Sequence, residues 1–143
     1  MTKCNSDLEA AYRATTYWAI TETDYIPIRI GALTIALDSL LRDRDLRTWA
    51  FITAANPYSK PQNPAVNAMR NAALRLDLEN RDLAFCRGLG VGDDHLWPPE
   101  DSYLILDISV EDAVDVGRTH EQNAVVVGRV GEAARLVFCD GCN

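Results

Sequence analysis

Three times along the chain, two β-strand patterns follow one another with no helix pattern between them. These pairs are 17–21 with 25–30, 83–87 with 103–108, and 124–128 with 134–139. Parallel neighbours need a long crossover connection, usually a helix, so a purely parallel doubly wound sheet is excluded. Helix patterns separate the remaining elements and give the order αββαβαββαββ. The sequence predicts one α/β (α+β) domain over residues 1–143, a mixed sheet with helices packed on it, and flexible ends at 1–5 and 140–143.

Individual elements carry local signals. The segment 48–55 is apolar on both faces, which is typical of a central strand covered on both sides. Pro27 cannot donate to a ladder, so its strand is expected at an edge or with a bulge. Asn63 before Pro64 predicts a helix start, and that helix is expected to run to about residue 80. Its predicted core-facing residues are Val66, Met69, Ala73 and Leu76.

The acidic composition restricts the partners of the protein. The chain has 143 residues and a net charge of -7, whereas nucleic-acid binding needs clustered Lys and Arg. The basic run of Arg42, Arg44 and Arg47 alternates with acids and is interpreted as a solvated helix end. No apolar run approaches the length of a membrane span, and no secretory signal precedes the first helix. We therefore expect a cytoplasmic protein without nucleic-acid or membrane partners and without a cofactor; the oligomeric state stays open.

A glycine-rich run, 88–92, follows the fourth predicted strand. Its spacing does not meet the dinucleotide fingerprint G-x-G-x-x-G, and no helix pattern follows that could face a phosphate. The favoured interpretation is a mobile loop, with a phosphate site as the alternative.

Two further groups of residues are candidates for chemistry. His95 lies near acidic residues and Glu100, an arrangement that suits acid–base catalysis or metal binding, although a surface acidic loop is the simpler interpretation. Cys139 and Cys142 form a C-x-x-C pair, which indicates either a zinc or redox site or an incidental tail. Because a structural zinc site normally needs a second pair, no metal is predicted.

Polar side chains cluster at the ends of the predicted strands. They are Arg29, Asn56, Glu100, Ser102, Arg118, Gln122 and Asn123. Loops at strand ends build ligand sites in open α/β sheets, and buried amides or arginines are costly unless paired. The set is therefore either a capping network or a binding pocket.

Several segments together resemble a known family. The runs FITAANP at 51–57, WPPEDS at 97–102 and GR at 117–118 with QNA at 122–124 occur in this order. The pattern resembles the bacterial family catalogued as domain of unknown function 3293, over about residues 17–137. In that family an aromatic residue and a glycine precede the Gln, where this chain has His120 and Glu121. The resemblance implies a soluble bacterial protein of unassigned function and transfers no catalytic residues.

Two functional hypotheses follow. In the first, a pocket at the strand ends binds or transforms a small anionic or nucleotide-like ligand. Arg29 and Arg118 bind the anion, Glu100 is the general base and His95 the reserve candidate. The amides of Asn56, Gln122 and Asn123 orient the ligand, and Ser102 lies beside them. In the second, the chain is a non-catalytic regulatory or interaction domain whose polar set is capping and whose anchors are Tyr58, Trp97 and Tyr103.

Overall fold

The computed structural model of the chain describes residues 6–95 and 97–141. Its helices are α1 (Ser6–Arg13), α2 (Ile35–Asp43), α3 (Pro64–Asn80) and α4 (Val110–Thr119). Its strands are β1 (Thr15–Ile20), β2 (Tyr25–Ile28), β3 (Thr48–Ile52), β4 (Ala84–Gly92), β5 (Glu100–Leu106), β6 (Ala124–Arg129) and β7 (Arg135–Phe138). The predicted α+β class and element order are confirmed. The predicted flexible ends lie outside the described residues, except for 140 and 141, which lie in a turn.

The described strands form a seven-stranded sheet in the order β2-β1-β4-β5-β3-β6-β7. Every neighbouring pair is antiparallel, so the predicted mixed sheet is wrong in its pairing. Each helical crossover joins two strands that run in the same direction, but at least one other strand lies between them in the sheet. Parallel strands are therefore never adjacent in the described sheet. Strands β3 and β4 flank β5, and strands β5 and β6 flank β3. As predicted from Pro27, β2 lies at an edge.

The sheet curls until its two edges meet. Ile30, after β2, forms a bridge with Ala134, before β7. The Gly31 N–H donates to the Ala134 carbonyl at 2.7 Å, and the Ala134 N–H donates to the Ala32 carbonyl at 3.1 Å. The rings of Tyr17 and Phe51 are 5.3 Å apart, although two strands lie between β1 and β3 in the sheet. The curl thus gives the sheet a concave inner face and an outer face.

Each face has its own core. Helix α2 covers the inner face with Leu37 and Leu41, which pack against Trp49, Phe51 and Leu104. Helices α3 and α4 cover the outer face, on which the buried residues include Leu74, Leu78, Ile105, Val116 and Val125. Successive strand residues point to opposite faces, so one strand such as β5 supplies side chains to both cores.

The glycine run is part of strand β4 and not the predicted mobile loop. Gly88 pairs with Ala19 on one side and Ser102 on the other. A Cβ at Gly88 would lie 2.6 Å from Cε2 of Phe51, so the absence of a side chain lets that ring lie against the strand. Gly88 therefore serves packing inside the sheet, and the run is a paired strand in place of the phosphate loop that was the alternative.

The structure also corrects the orientation of α3. Of the residues predicted to face the core, Met69 is 73% exposed and Leu76 is 58% exposed. The buried residues are instead Asn71, Leu74 and Leu78. The helix starts as predicted, because the Asn63 side chain accepts the Val66 N–H. Within the described part of the chain, no helix combines the length and apolar character needed to span a membrane.

Candidate functional site

The chain leaves strand β3 through a strained turn at Asn56. Asn56 has a left-handed backbone (φ 49, ψ 65), and Tyr58 and Ser59 also have positive φ values of 53 and 63. Asn tolerates this region better than most residues. The Asn56 carbonyl accepts the Ser59 N–H at 2.8 Å, and the Tyr58 N–H donates to the Glu121 carbonyl at 2.8 Å. These bonds hold the turn against the segment that leads into β6.

The Asn56 side chain joins this turn to helix α3 and strand β5. Its Oδ1 accepts the Gln62 N–H and one Asn67 Nδ2 hydrogen, both at 2.9 Å. Its Nδ2 donates to Oε2 of Glu100 at 2.6 Å. Asn67 also accepts the Asn56 N–H through Oδ1 at 2.8 Å. The two amides therefore fix the position of the donor that faces Glu100.

Glu100 lies at the start of β5, on the inner face. It is in phase with Leu104 and Leu106, which belong to the inner core. Its Oε2 also receives Trp97 Nε1 at 3.3 Å. Burial raises the pKa of Glu100 above its ordinary value, and the two hydrogen bonds only partly oppose this. Among the described residues, both partners of this carboxylate are neutral donors.

Tyr12 and Asn123 complete the surroundings of the turn. Ser59 is hydrogen-bonded to the Tyr12 hydroxyl, whose pKa is raised by burial and by the charge of Glu100. Asn123 Nδ2 donates to Ser59 Oγ at 2.9 Å. Its Oδ1 is buried and has no hydrogen-bond partner in the described part of the chain. We call Tyr12, Asn56, Ser59, Trp97, Glu100 and Asn123 the sheet-end cluster.

Two residues of the predicted polar set form internal caps. Gln122 Nε2 donates to the carbonyls of Ala55 and His120, each at 3.2 Å. Ser102 Oγ donates to the Glu100 carbonyl at 3.0 Å. Both residues are buried, and both satisfy backbone groups next to the sheet-end cluster.

The two predicted anion-binding arginines do not join the sheet-end cluster. Arg29 donates to both carboxylate oxygens of Asp93, at 2.7 and 3.1 Å, and its NH1 donates to Thr16 Oγ1 at 3.1 Å. This fork ties the end of β2 to the end of β4. Arg118 lies 4.0 Å from Asp140, and both side chains are more than half exposed. The structure thus gives each arginine a carboxylate neighbour.

The predicted His95 and cysteine sites are not assembled in the described residues. His95 is exposed in the turn after β4, where its N–H donates to the Gly92 carbonyl. Cys139 is buried, and burial raises its pKa to about 11, which leaves an unreactive thiol. Cys142 lies outside the described residues. Within those residues, no group of three or more His, Cys, Asp or Glu side chains is placed to hold a metal ion.

Sequence reasoning missed the contribution of α3. Asn67 and Asn71 lie on the helix face that continues into Leu74 and Leu78, and Asn71 Oδ1 accepts the Ala54 N–H at 2.9 Å. The spacing 67, 71, 74, 78 is helical and would have been the signal. Because the first two of these positions are asparagines, the buried face of α3 is not visible as a pattern of apolar residues. Arg70 adds a bond from Nε to the Ala54 carbonyl at 2.7 Å.

Comparison with known proteins gives one family. A family model described as "Protein of unknown function (DUF3293)" matches residues 52–125, just over half of the chain. No curated protein and no solved structure matches the chain. The matched segment runs from the end of β3 to the start of β6 and contains Asn56, Glu100 and Asn123. The resemblance noted from the sequence is confirmed, and the chain belongs to the DUF3293 family.

Proposed function

We propose that this protein binds a small polar molecule at the sheet-end cluster, with the Glu100 carboxylate as the main acceptor. One observation carries the proposal: Glu100 occupies an inner-face position, and its described partners are the neutral donors Asn56 and Trp97. Glu100 is partly buried, and removing a carboxylate from water is costly without a charged or fully hydrogen-bonded partner. A ligand with a cationic or N–H donor group, such as an amine, an amidine or a nucleobase edge, would supply that partner.

Three neighbouring features support a ligand at this place. Strained non-glycine backbone concentrates at functional sites, and positive φ values occur at Asn56, Tyr58 and Ser59. Asn123 Oδ1 is a buried acceptor without a hydrogen-bond partner among the described residues. The Trp97 ring is 41% exposed beside Glu100, so it offers an aromatic surface against a planar ligand.

The environment of Glu100 also suits proton transfer. Because burial raises its pKa, the carboxyl group titrates closer to neutrality than an exposed one and can accept or donate a proton there. Asn56 fixes the orientation of Oε2 through the 2.6 Å bond. We keep the sequence hypothesis that Glu100 is the general base if the ligand is transformed.

The sequence hypothesis of an anionic ligand does not suit the sheet-end cluster. Arg29 is held by Asp93, and an anionic ligand would meet the Glu100 carboxylate. The favoured ligand is therefore neutral or cationic at the group that enters the cluster. We further place the protein in a bacterial cytoplasm, a reducing compartment that suits the free thiols of Cys86 and Cys139.

A thermal-shift screen with small amines, amidines and nucleobases tests the proposal. A compound that binds only the folded state raises the melting temperature by mass action. The effect should be present in the wild type and lost in Glu100→Gln. Glu132→Gln makes the same chemical change on an exposed turn and should respond like the wild type. The proposal fails if no compound shifts the melting temperature, or if Glu100→Gln responds like the wild type.

The interaction-domain alternative is favoured by the caps of Gln122 and Ser102, which bond to backbone. Of its proposed anchors, Trp97 and Tyr58 are exposed, while Tyr103 packs edge-on against Phe85. In that case the sheet-end cluster is structural. The same screen would then give no compound that distinguishes Glu100→Gln from the wild type.

A further inference from the structure

Three arginines meet at the end of the sheet opposite to the sheet-end cluster. Arg42 lies in the last turn of α2, Arg47 directly precedes β3, and Arg129 ends β6. Together with Asp45, Leu46 and Val130 they line a groove of about 250 Å³. The sequence predicts a solvated helix end for the run 42–47. In the structure Arg129, which is distant in sequence, lines a groove together with residues of this run.

The backbone around this groove is fixed by hydrogen bonds. The Val130 N–H donates to the Arg47 carbonyl at 2.9 Å, and the Leu46 N–H donates to the Leu41 carbonyl at 2.8 Å. Arg129 is the register partner of Thr48, the residue after Arg47. Leu46 and Val130 are half-buried against the inner core. The groove therefore has a rigid floor that holds the three arginine backbones in place.

The positive charge of the groove is only partly compensated. In the described part of the chain, ion pairs occupy Arg29, Arg70 and Arg81 among others, but none forms at Arg42, Arg47 or Arg129. The residues that line the groove include these three arginines and one acidic residue, Asp45. Like charges brought together repel one another, and an anion in the groove would relieve that repulsion.

We propose that this groove binds the phosphate group of a small molecule. A guanidinium presents its donors as a planar fork that matches phosphate oxygens. Three such forks from different elements suit a tetrahedral group with several oxygens better than a carboxylate with two. The volume accommodates a phosphate and a small attached group. The site is independent of the proposed ligand at Glu100, because the two lie at opposite ends of β3 and β6.

NMR titration of the intact chain tests the site, with inorganic phosphate and glycerol phosphate as separate probes at constant ionic strength. The amide signals of residues 42–47 and 129–131 should shift. Arg47→Gln and Arg129→Gln should each weaken binding by roughly tenfold, since a charged hydrogen bond is lost. Arg75→Gln removes the same charge from an exposed position on α3 and should leave the affinity unchanged.

The relative affinities for the two probes identify the source of the phosphate group. Equal affinity for both probes indicates free phosphate, whereas tighter binding of glycerol phosphate indicates a phosphorylated molecule. The site is disproved if the named amides of the wild type do not shift. It is equally disproved if Arg75→Gln weakens binding as much as Arg129→Gln, because the attraction would then come from overall charge.

Discussion

At the scale of single residues, the properties of Glu100 follow from where strand β5 begins. The sequence predicts that this strand starts at Tyr103, with Glu100 in the preceding loop. In the structure β5 starts at Glu100 itself, because the β4 extension through Gly90 provides it with a ladder partner. The carboxylate thereby enters the inner face next to apolar side chains. A loop position would have left it in water with an ordinary pKa.

The raised pKa of Glu100 predicts a pH-dependent stability. Between the ordinary and the raised pKa, the folded state binds more protons than the unfolded state, so this contribution to stability decreases as pH rises. Glu100→Gln keeps an acceptor for Asn56 but cannot ionise. We expect the unfolding free energy of the variant to rise relative to that of the wild type between about pH 4 and pH 8, because only the wild type loses this contribution as its carboxyl group ionises.

Urea denaturation at the two pH values measures this difference, with Glu132→Gln as the control that should show none. An advantage of Glu100→Gln that is the same at both pH values would mean that the carboxylate is not destabilised by burial.

At the scale of elements, two glycines set how closely the layers approach. Gly128 on β6 lies opposite Trp49 on β3, and a Cβ there would collide with the indole ring of Trp49. On α4, a Cβ at Gly117 would lie 2.7 Å from Cγ1 of Val125. The missing side chains let the indole lie over β6 and let α4 lie close to the sheet. These positions are occupied by glycine for steric reasons, since neither has a positive φ.

Gly128→Ala should destabilise the fold by about 1–3 kcal/mol, the usual cost of overpacking a core. Gly90→Ala is the matched control, because its added Cβ would meet only ordinary contacts at 3.9 Å. Chemical denaturation followed by tryptophan fluorescence measures both variants. Equal losses in the two variants would show that contact with the Trp49 ring does not determine the cost.

At the scale of the whole molecule, helix α2 holds the curl of the sheet. Leu37 and Leu41 fill the inner face, and Asp38, also buried, accepts the Gly131 N–H through Oδ2 at 3.0 Å. Gly131 lies in the turn between β6 and β7. One helix therefore connects the inner core with the hairpin at one edge of the sheet, close to where the two edges meet at Ala134.

Asp38→Ala should lower the free energy of unfolding by about 1–3 kcal/mol, because it removes the hydrogen bond between the Gly131 N–H and a charged acceptor. Hydrogen exchange at Gly131 should become faster in this variant, while exchange at Ala50 in the central strand β3 should change only with global stability. Asp38→Asn retains an acceptor oxygen and should lose less. Unchanged exchange at Gly131 in Asp38→Ala would contradict the assigned role of Asp38.

The sequence by itself determined the kinds and order of the elements, the Asn63 cap and the family resemblance, and it restricted β2 to an edge position or a bulge. These features depend on local patterns: the period of apolar residues, a proline within a strand, an amide before a helix. It also identified Asn56, Glu100 and Asn123 as polar residues at strand ends, but without a way to separate them from Arg29, Arg118 and Gln122.

Only the tertiary structure decided which strands are neighbours, which face of α3 is buried and which polar groups meet. Strand direction and neighbour order depend on crossovers that pass over an intervening strand, and no local period records them. Burial of Asn71 in place of Met69 follows from hydrogen bonds to the chain after β3. Glu100 meets Asn56, and Arg129 meets Arg47, across long separations in sequence. Both candidate sites therefore exist only because the sheet brings distant residues to its two ends.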